Sequence, residues 1–126
     1  MSHISVMKIA FADRDLLKQA LADLGYETEE GEDLFITNGI KKVSVDFLVK
    51  LPYTDAIGFR KGKNGWQLTA DWFRVNVDRK AFENKLKQQY AYLSVTKSLE
   101  NQGFLVTEEV RDEKQQIHIV LRRTQF

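Results

Sequence analysis

Two stretches in the middle of this chain carry an apolar residue at every second position, and that spacing constrains the fold more than any other feature. Val43, Val45, Phe47 and Val49 alternate with Ser44, Asp46 and Lys50. Trp66, Leu68, Ala70 and Trp72 likewise alternate with Gln67, Thr69 and Asp71. A period of two sends one set of side chains to one face of a pleated strand and the other set to the opposite face. Each strand then has one face that must be covered and one that tolerates water, the pattern of antiparallel sheets. Asn38-Gly39 predicts a hairpin turn, because both residues tolerate positive φ. Residues 34–37 and 40–51 read as its strands, and Pro52 closes the second. Residues 57–60 and 66–75 read as another strand pair, joined by residues 61–65. On this pattern Asp71 is an outward-facing strand residue.

Two helices supply the cover. Asp13 is the candidate N-cap of the first, its carboxylate placed to accept from unpaired amide groups. Leu16, Leu17, Ala20, Leu21 and Leu24 then recur at helical spacing and define one apolar stripe. Gly25 ends the helix, since glycine enters the left-handed conformation without a Cβ penalty, and Tyr26 folds back on the stripe. Asp78 caps the second helix, in which Phe82, Leu86, Tyr90 and Leu93 form one stripe and Tyr92, Val95 and Leu99 its neighbour. Because the stripe drifts, that helix either curves or breaks near Tyr90. Gly103-Phe104 ends it. A first strand over residues 4–11, a solvated acidic turn over residues 27–33 and a closing hairpin over residues 104–110 and 116–123 complete the reading.

Residues 17–26 and 95–104 share a pattern of apolar residue, three spacers, Leu, and a Gly-aromatic ending. Any helix that ends in a glycine cap and returns as a strand looks alike. Taken as a repeat, the pattern means two related strand-helix-hairpin halves sharing one sheet, its second face left for solvent, a partner or a second copy of the chain. The expected fold is α+β: a single domain over residues 1–126, with a mainly antiparallel sheet and two principal helices packed on one face.

Composition narrows the chemistry. The 126 residues include no cysteine, which excludes disulfides, thiolate metal sites and thiol nucleophiles. No run of about 18 apolar residues exists to cross a membrane as a helix, and residues 1–5 lack the layout of a signal peptide, so a cytoplasmic location is expected. The net charge of +1 conceals an uneven distribution. Residues 1–36 hold three bases and eight acids, residues 37–97 twelve bases and five acids, and residues 98–126 four bases and five acids.

No catalytic motif stands out. A Gly-x-Ser-x-Gly elbow and a Ser-x-x-Lys pair are both missing, and Gly62-Lys63-Asn64-Gly65 matches neither dinucleotide nor P-loop spacing. His3 and His118 with Glu108 or Glu109 would make a metal-like set only if the fold gathered them, so neither a metal nor a cofactor is expected. Asp71, beside a predicted core, is the anchor of a carboxylate-based enzyme reading. A second reading uses Arg60, Lys61, Lys63 and Arg74 around Trp66 as a basic hairpin with aromatics, binding nucleic acid or another polyanion. The sequence pI of about 7.9 lies below the level of a dedicated nucleic-acid domain.

Short segments along nearly the whole chain carry a resemblance. They are Met1-Ser2-His3-Ile4, Ile57-Gly58-Phe59, Leu68-Thr69-Ala70-Asp71, Tyr90-Ala91, Gly103-Phe104 and Val120-Leu121-Arg122-Arg123. Together they resemble the hypothetical chloroplast reading frame thirty-five family, a domain of unknown function from cyanobacteria, plastids and some other bacteria. The resemblance implies no activity and transfers no functional residue. The reading favoured by the missing catalytic constellation and the surplus of strand and aromatic surface is a non-enzymatic accessory or protein-interaction domain. Its expected partner is a second copy or another protein, with no membrane.

Overall fold

A computed structural model describes residues 4–111 and 117–123, with side chains given for residues 11–104. Nine strands and two helices follow one another along the described chain, in an α+β arrangement. Strands β1 (Ile4–Phe11), β2 (Glu27–Glu30), β5 (Phe47–Lys50), β6 (Ile57–Gly62) and β7 (Gly65–Asp71) form the main sheet, in the order β1-β7-β6-β5-β2. All four pairings are antiparallel, so the two edge strands β1 and β2 run parallel to each other. The connection between them, helix α1 (Arg14–Asp23), therefore crosses the full width of the sheet.

The face beneath α1 is the core. Phe47 pairs with Phe59, and Phe59 with Leu68, so their side chains share one face. Phe47 and Phe59 stack with ring centroids 4.9 Å apart and planes 8° from parallel. Against them pack Leu17, Ala20 and Leu21 of α1 and Phe82 and Leu86 of helix α2 (Arg79–Asn101). Both helices thus lie on one face, as the apolar stripes demand. Gly25 and Gly103 stand just past the helix ends at φ +89° and +91°. Helix α2 runs unbroken through Tyr90, so of the two expectations for that point the break is excluded.

The opposite face is covered as well, which the sequence reading did not anticipate. Residues 40–51 are not one strand. They divide into β4 (Lys42–Ser44), which pairs with β3 (Phe35–Thr37) as a separate hairpin, and β5 of the main sheet. The switch falls at one peptide: Val45 N donates to Leu34 O at 3.0 Å, while Asp46 N donates to Phe59 O at 2.7 Å. Period-two alternation survives because the chain steps from one layer to the next with its side chains in the same sense.

Gly58 shows why this position is open to a second layer. A Cβ placed there would lie 2.6 Å from Val45 Cγ1 and 2.7 Å from Ile36 Cγ1. The β3–β4 hairpin therefore seats directly on the backbone of β6, and Thr69, paired with Gly58, is buried with it. That face is not free for a partner or a second copy at this point.

Two further readings change. Residues 27–30, expected as part of a solvated turn, form edge strand β2 through backbone pairing with β5, although their side chains are mostly exposed. Strands β8 (Phe104–Arg111) and β9 (Ile117–Arg123) pair as the closing hairpin expected, but as a two-stranded sheet of their own rather than as part of one shared sheet.

Gly58→Ala should destabilise the protein by about 1–3 kcal/mol, the usual cost of overpacking a closed contact. Urea denaturation measures it, and the double variant Gly58→Ala/Val45→Ala should recover part of the loss by reopening the space.

Candidate functional site

An open concave feature lies where α1 begins. Ala12, Asp13, Arg14, Asp46, Lys61 and Trp66 line a cleft of about 630 Å³. Its position follows from local structure. Asp13 terminates β1 and caps α1, its Oδ1 accepting from Asp15 N at 2.9 Å and Leu16 N at 3.2 Å. Its own amide donates to the Tyr90 hydroxyl at 3.0 Å, and Lys97 Nζ stands 3.6 Å from Oδ2. One residue thus ties the start of α1 to two points along α2. The Leu16 amide holds the Asp13 carboxyl below its ordinary value of 3.8, burial opposes this, and the Asp15 amide and Lys97 add to the lowering.

Opposite, Asp46 Oδ2 accepts from Lys61 N at 2.9 Å and pins the end of β6 to the start of β5. Trp66 forms the floor, only 5% exposed, with its ring 5.5 Å from Phe47 and the Arg14 guanidinium 5.9 Å from its centroid. Arg14 also pairs with Glu30, which Lys18 Nζ reaches at 2.6 Å. These contacts hold the Glu30 carboxyl low, the Lys18 hydrogen bond foremost. The lining brings two cations, two carboxylates and an indole together, and its charges balance.

The residues singled out from sequence are only partly gathered here. Lys61 and Trp66 belong to the cleft. Arg60 is exposed on β6 opposite Gln67, and Lys63 is exposed in the turn between Gly62 and Gly65. Arg74 lies past the far end of β7, where its Nε pairs with Asp55 Oδ2 at 2.7 Å. Seven residues of extended strand separate the two ends, roughly 20 Å. Trp66 is a core residue rather than an exposed stacking surface. Its alternation partners Leu68 and Ala70 are buried on the same face.

Asp71 requires a correction. It is 1% exposed rather than outward-facing, and its Oδ1 accepts from Phe73 N at 3.1 Å in the turn that follows β7. Its Oδ2 is buried without a hydrogen-bond partner. Among the described residues no three His, Asp or Glu side chains converge as a metal site. His3 lies outside the described residues, as do the side chains of His118, Glu108 and Glu109. Sequence reasoning missed Arg14, Asp46 and Tyr90 as a group, because only tertiary packing brings the start of α1 against β5, β6 and the middle of α2.

Comparison with known proteins agrees with the resemblance. The family described as protein of unknown function (DUF1257) matches residues 20–120, and the chain belongs to it. Similar relatives include three proteins named "Uncharacterized protein ycf35". Those from Pyropia yezoensis and Cyanophora paradoxa are 28% and 29% identical over the whole of both chains, and that from Guillardia theta is 34% identical over 98% of both. No solved structure matches the chain. Among the described residues no helix is long and apolar enough to cross a membrane.

The depressed Asp13 pKa sets a sign. A carboxyl whose folded pKa lies below its unfolded value stabilises above the unfolded pKa and loses that contribution as pH falls through the folded one. Wild-type stability should therefore drop as pH falls below 3.8. Asp13→Asn, which keeps a capping oxygen, should flatten that part of the pH dependence, and Asp13→Ala should cost about 1 kcal/mol at neutral pH. Thermal melts across an acid pH series measure both.

Proposed function

We propose that this protein is an interaction domain that docks another protein through an aromatic surface at the end of the sheet remote from the cleft. One observation carries the reading: Tyr53 is fully exposed and Phe73 is 74% exposed, on two loops locked to each other. Asp55 N donates to Arg74 O at 3.1 Å, Asn76 N to Thr54 Oγ1 at 3.4 Å, and the Asp55–Arg74 ion pair closes the junction. Tyr53 sits at φ +63°, a conformation that costs a non-glycine residue about 1–3 kcal/mol and persists only where its surroundings impose it. Strain that holds a tyrosine in solvent is hard to account for by folding alone, whereas aromatic anchors dominate binding energy at interfaces. Beside Tyr53 in the chain, Leu51 and Pro52 line a groove of about 390 Å³ with Gly25, Tyr26, Glu27 and Lys50. The compartment this reading assigns is the cytoplasm.

The double variant Tyr53→Ser/Phe73→Ser should keep its stability to within about 0.5 kcal/mol, as exposed positions do. It should lose about tenfold or more in crosslinking to the principal partner of the wild type in host extracts. Sedimentation velocity on the purified chain decides whether that partner is a second copy. An unchanged set of crosslinked partners would remove the assignment.

A further inference from the structure

The β3–β4 hairpin ends in a tip that displays one apolar side chain to solvent. Ile40 is 95% exposed. The backbone around it is nevertheless held by local hydrogen bonds. Thr37 Oγ1 accepts from Gly39 N at 3.0 Å and donates to Lys41 O at 2.8 Å. Asn38 Oδ1 accepts from Ile40 N at 3.0 Å and from Lys41 N at 2.8 Å, and Asn38 N donates to Lys41 O at 3.3 Å. With the amides of residues 38–41 bonded within the turn, the tip presents Ile40 at its apex.

The surroundings of that apex are selective in charge. Between residues 34 and 45 the only charged side chains are Lys41 and Lys42, and both are exposed. Lys42 Nζ stands 4.6 Å from the ring centroid of Phe35, itself 44% exposed. The nearest acids along the chain, Asp33 and Asp46, lie at the base of the hairpin, at the opposite end of its short strands.

We propose that this hairpin docks tip-first on an anionic lipid surface, with Ile40 entering the boundary between headgroups and acyl chains and Lys41 and Lys42 meeting lipid phosphates. One inserted apolar side chain binds a bilayer only marginally and reversibly, so the contact depends on the two adjacent lysines as a second, electrostatic signal. Cations beside an inserted apolar side chain match the negative potential of an anionic leaflet. The acids at the base are repelled by that potential, which sets the approach as tip-first. Such a contact lies on the membrane and does not span it. It is independent of the Tyr53–Phe73 surface, which occupies other loops.

Vesicle flotation with the full chain tests this, comparing pure phosphatidylcholine with a mixture containing roughly a third phosphatidylglycerol. Wild type should float with the anionic vesicles and not with the neutral ones, and added salt should weaken binding as it screens the lysines. Ile40→Ser and Lys41→Glu/Lys42→Glu should each reduce binding about fivefold or more, while their circular dichroism and melting stay as in wild type. Lys61→Glu/Lys63→Glu and Tyr53→Ser/Phe73→Ser should float as wild type does. No preference for anionic vesicles would overturn the proposal, as it would if the tip fits an acidic protein socket instead. Equal loss on reversing Lys61 and Lys63 would also overturn it, because binding would then follow overall charge and not the tip.

Discussion

The stack of Phe47 on Phe59 and the missing side chain at Gly58, one residue away, together organise this molecule. On one face of β6 the aromatic pair gives both helices a broad apolar floor. On the other face the bare backbone lets Ile36 and Val45 of the small hairpin approach to a distance that any Cβ would block. Three layers therefore meet across a single strand. Close packing of this kind leaves little room for adjustment, so a change at β6 is felt by the helices and the hairpin together.

That layering explains where polar chemistry collects. The sheet interior is apolar, and charged groups are displaced to the ends of strands and helices. Asp13, Arg14, Asp46 and Lys61 gather at one end around a largely buried indole, the two carboxylates bonded to backbone amides and Arg14 paired with Glu30. At the other end, the Asp55–Arg74 pair joins two loops and leaves aromatic side chains in solvent. The basic excess of residues 37–97 is shared between these ends, the turn of β6–β7, the hairpin tip and α2, and does not form one continuous band along the main sheet.

Much of this was legible beforehand, for local reasons. Asp13, Asp78, Gly25 and Gly103 mark the helix limits because cap hydrogen bonds and left-handed backbone are satisfied within a few residues. Leu17, Ala20 and Leu21 announced a buried face through spacing alone. Strand β2 was illegible, because Glu27, Thr28, Glu29 and Glu30 look solvated and their side chains mostly are. Their strand character resides in backbone pairing with residues some twenty positions away. The division between β4 and β5 was hidden for a different reason: alternation reports the direction of side chains and not the layer they enter.

The sequence by itself determined the class of the fold, the two helices and their shared face, and the absence of thiol chemistry, all of which follow from local spacing and residue type. The tertiary structure alone decided that Asp71 and Trp66 are buried, that Arg74 stands apart from Lys61 and Lys63, and that the second face of the sheet is covered. It also decided that Ile40, Tyr53 and Phe73 remain outside. An apolar side chain has the same hydrophobicity at every position. Whether it is buried depends on whether another layer reaches it, and that is set by contacts between residues distant in the chain.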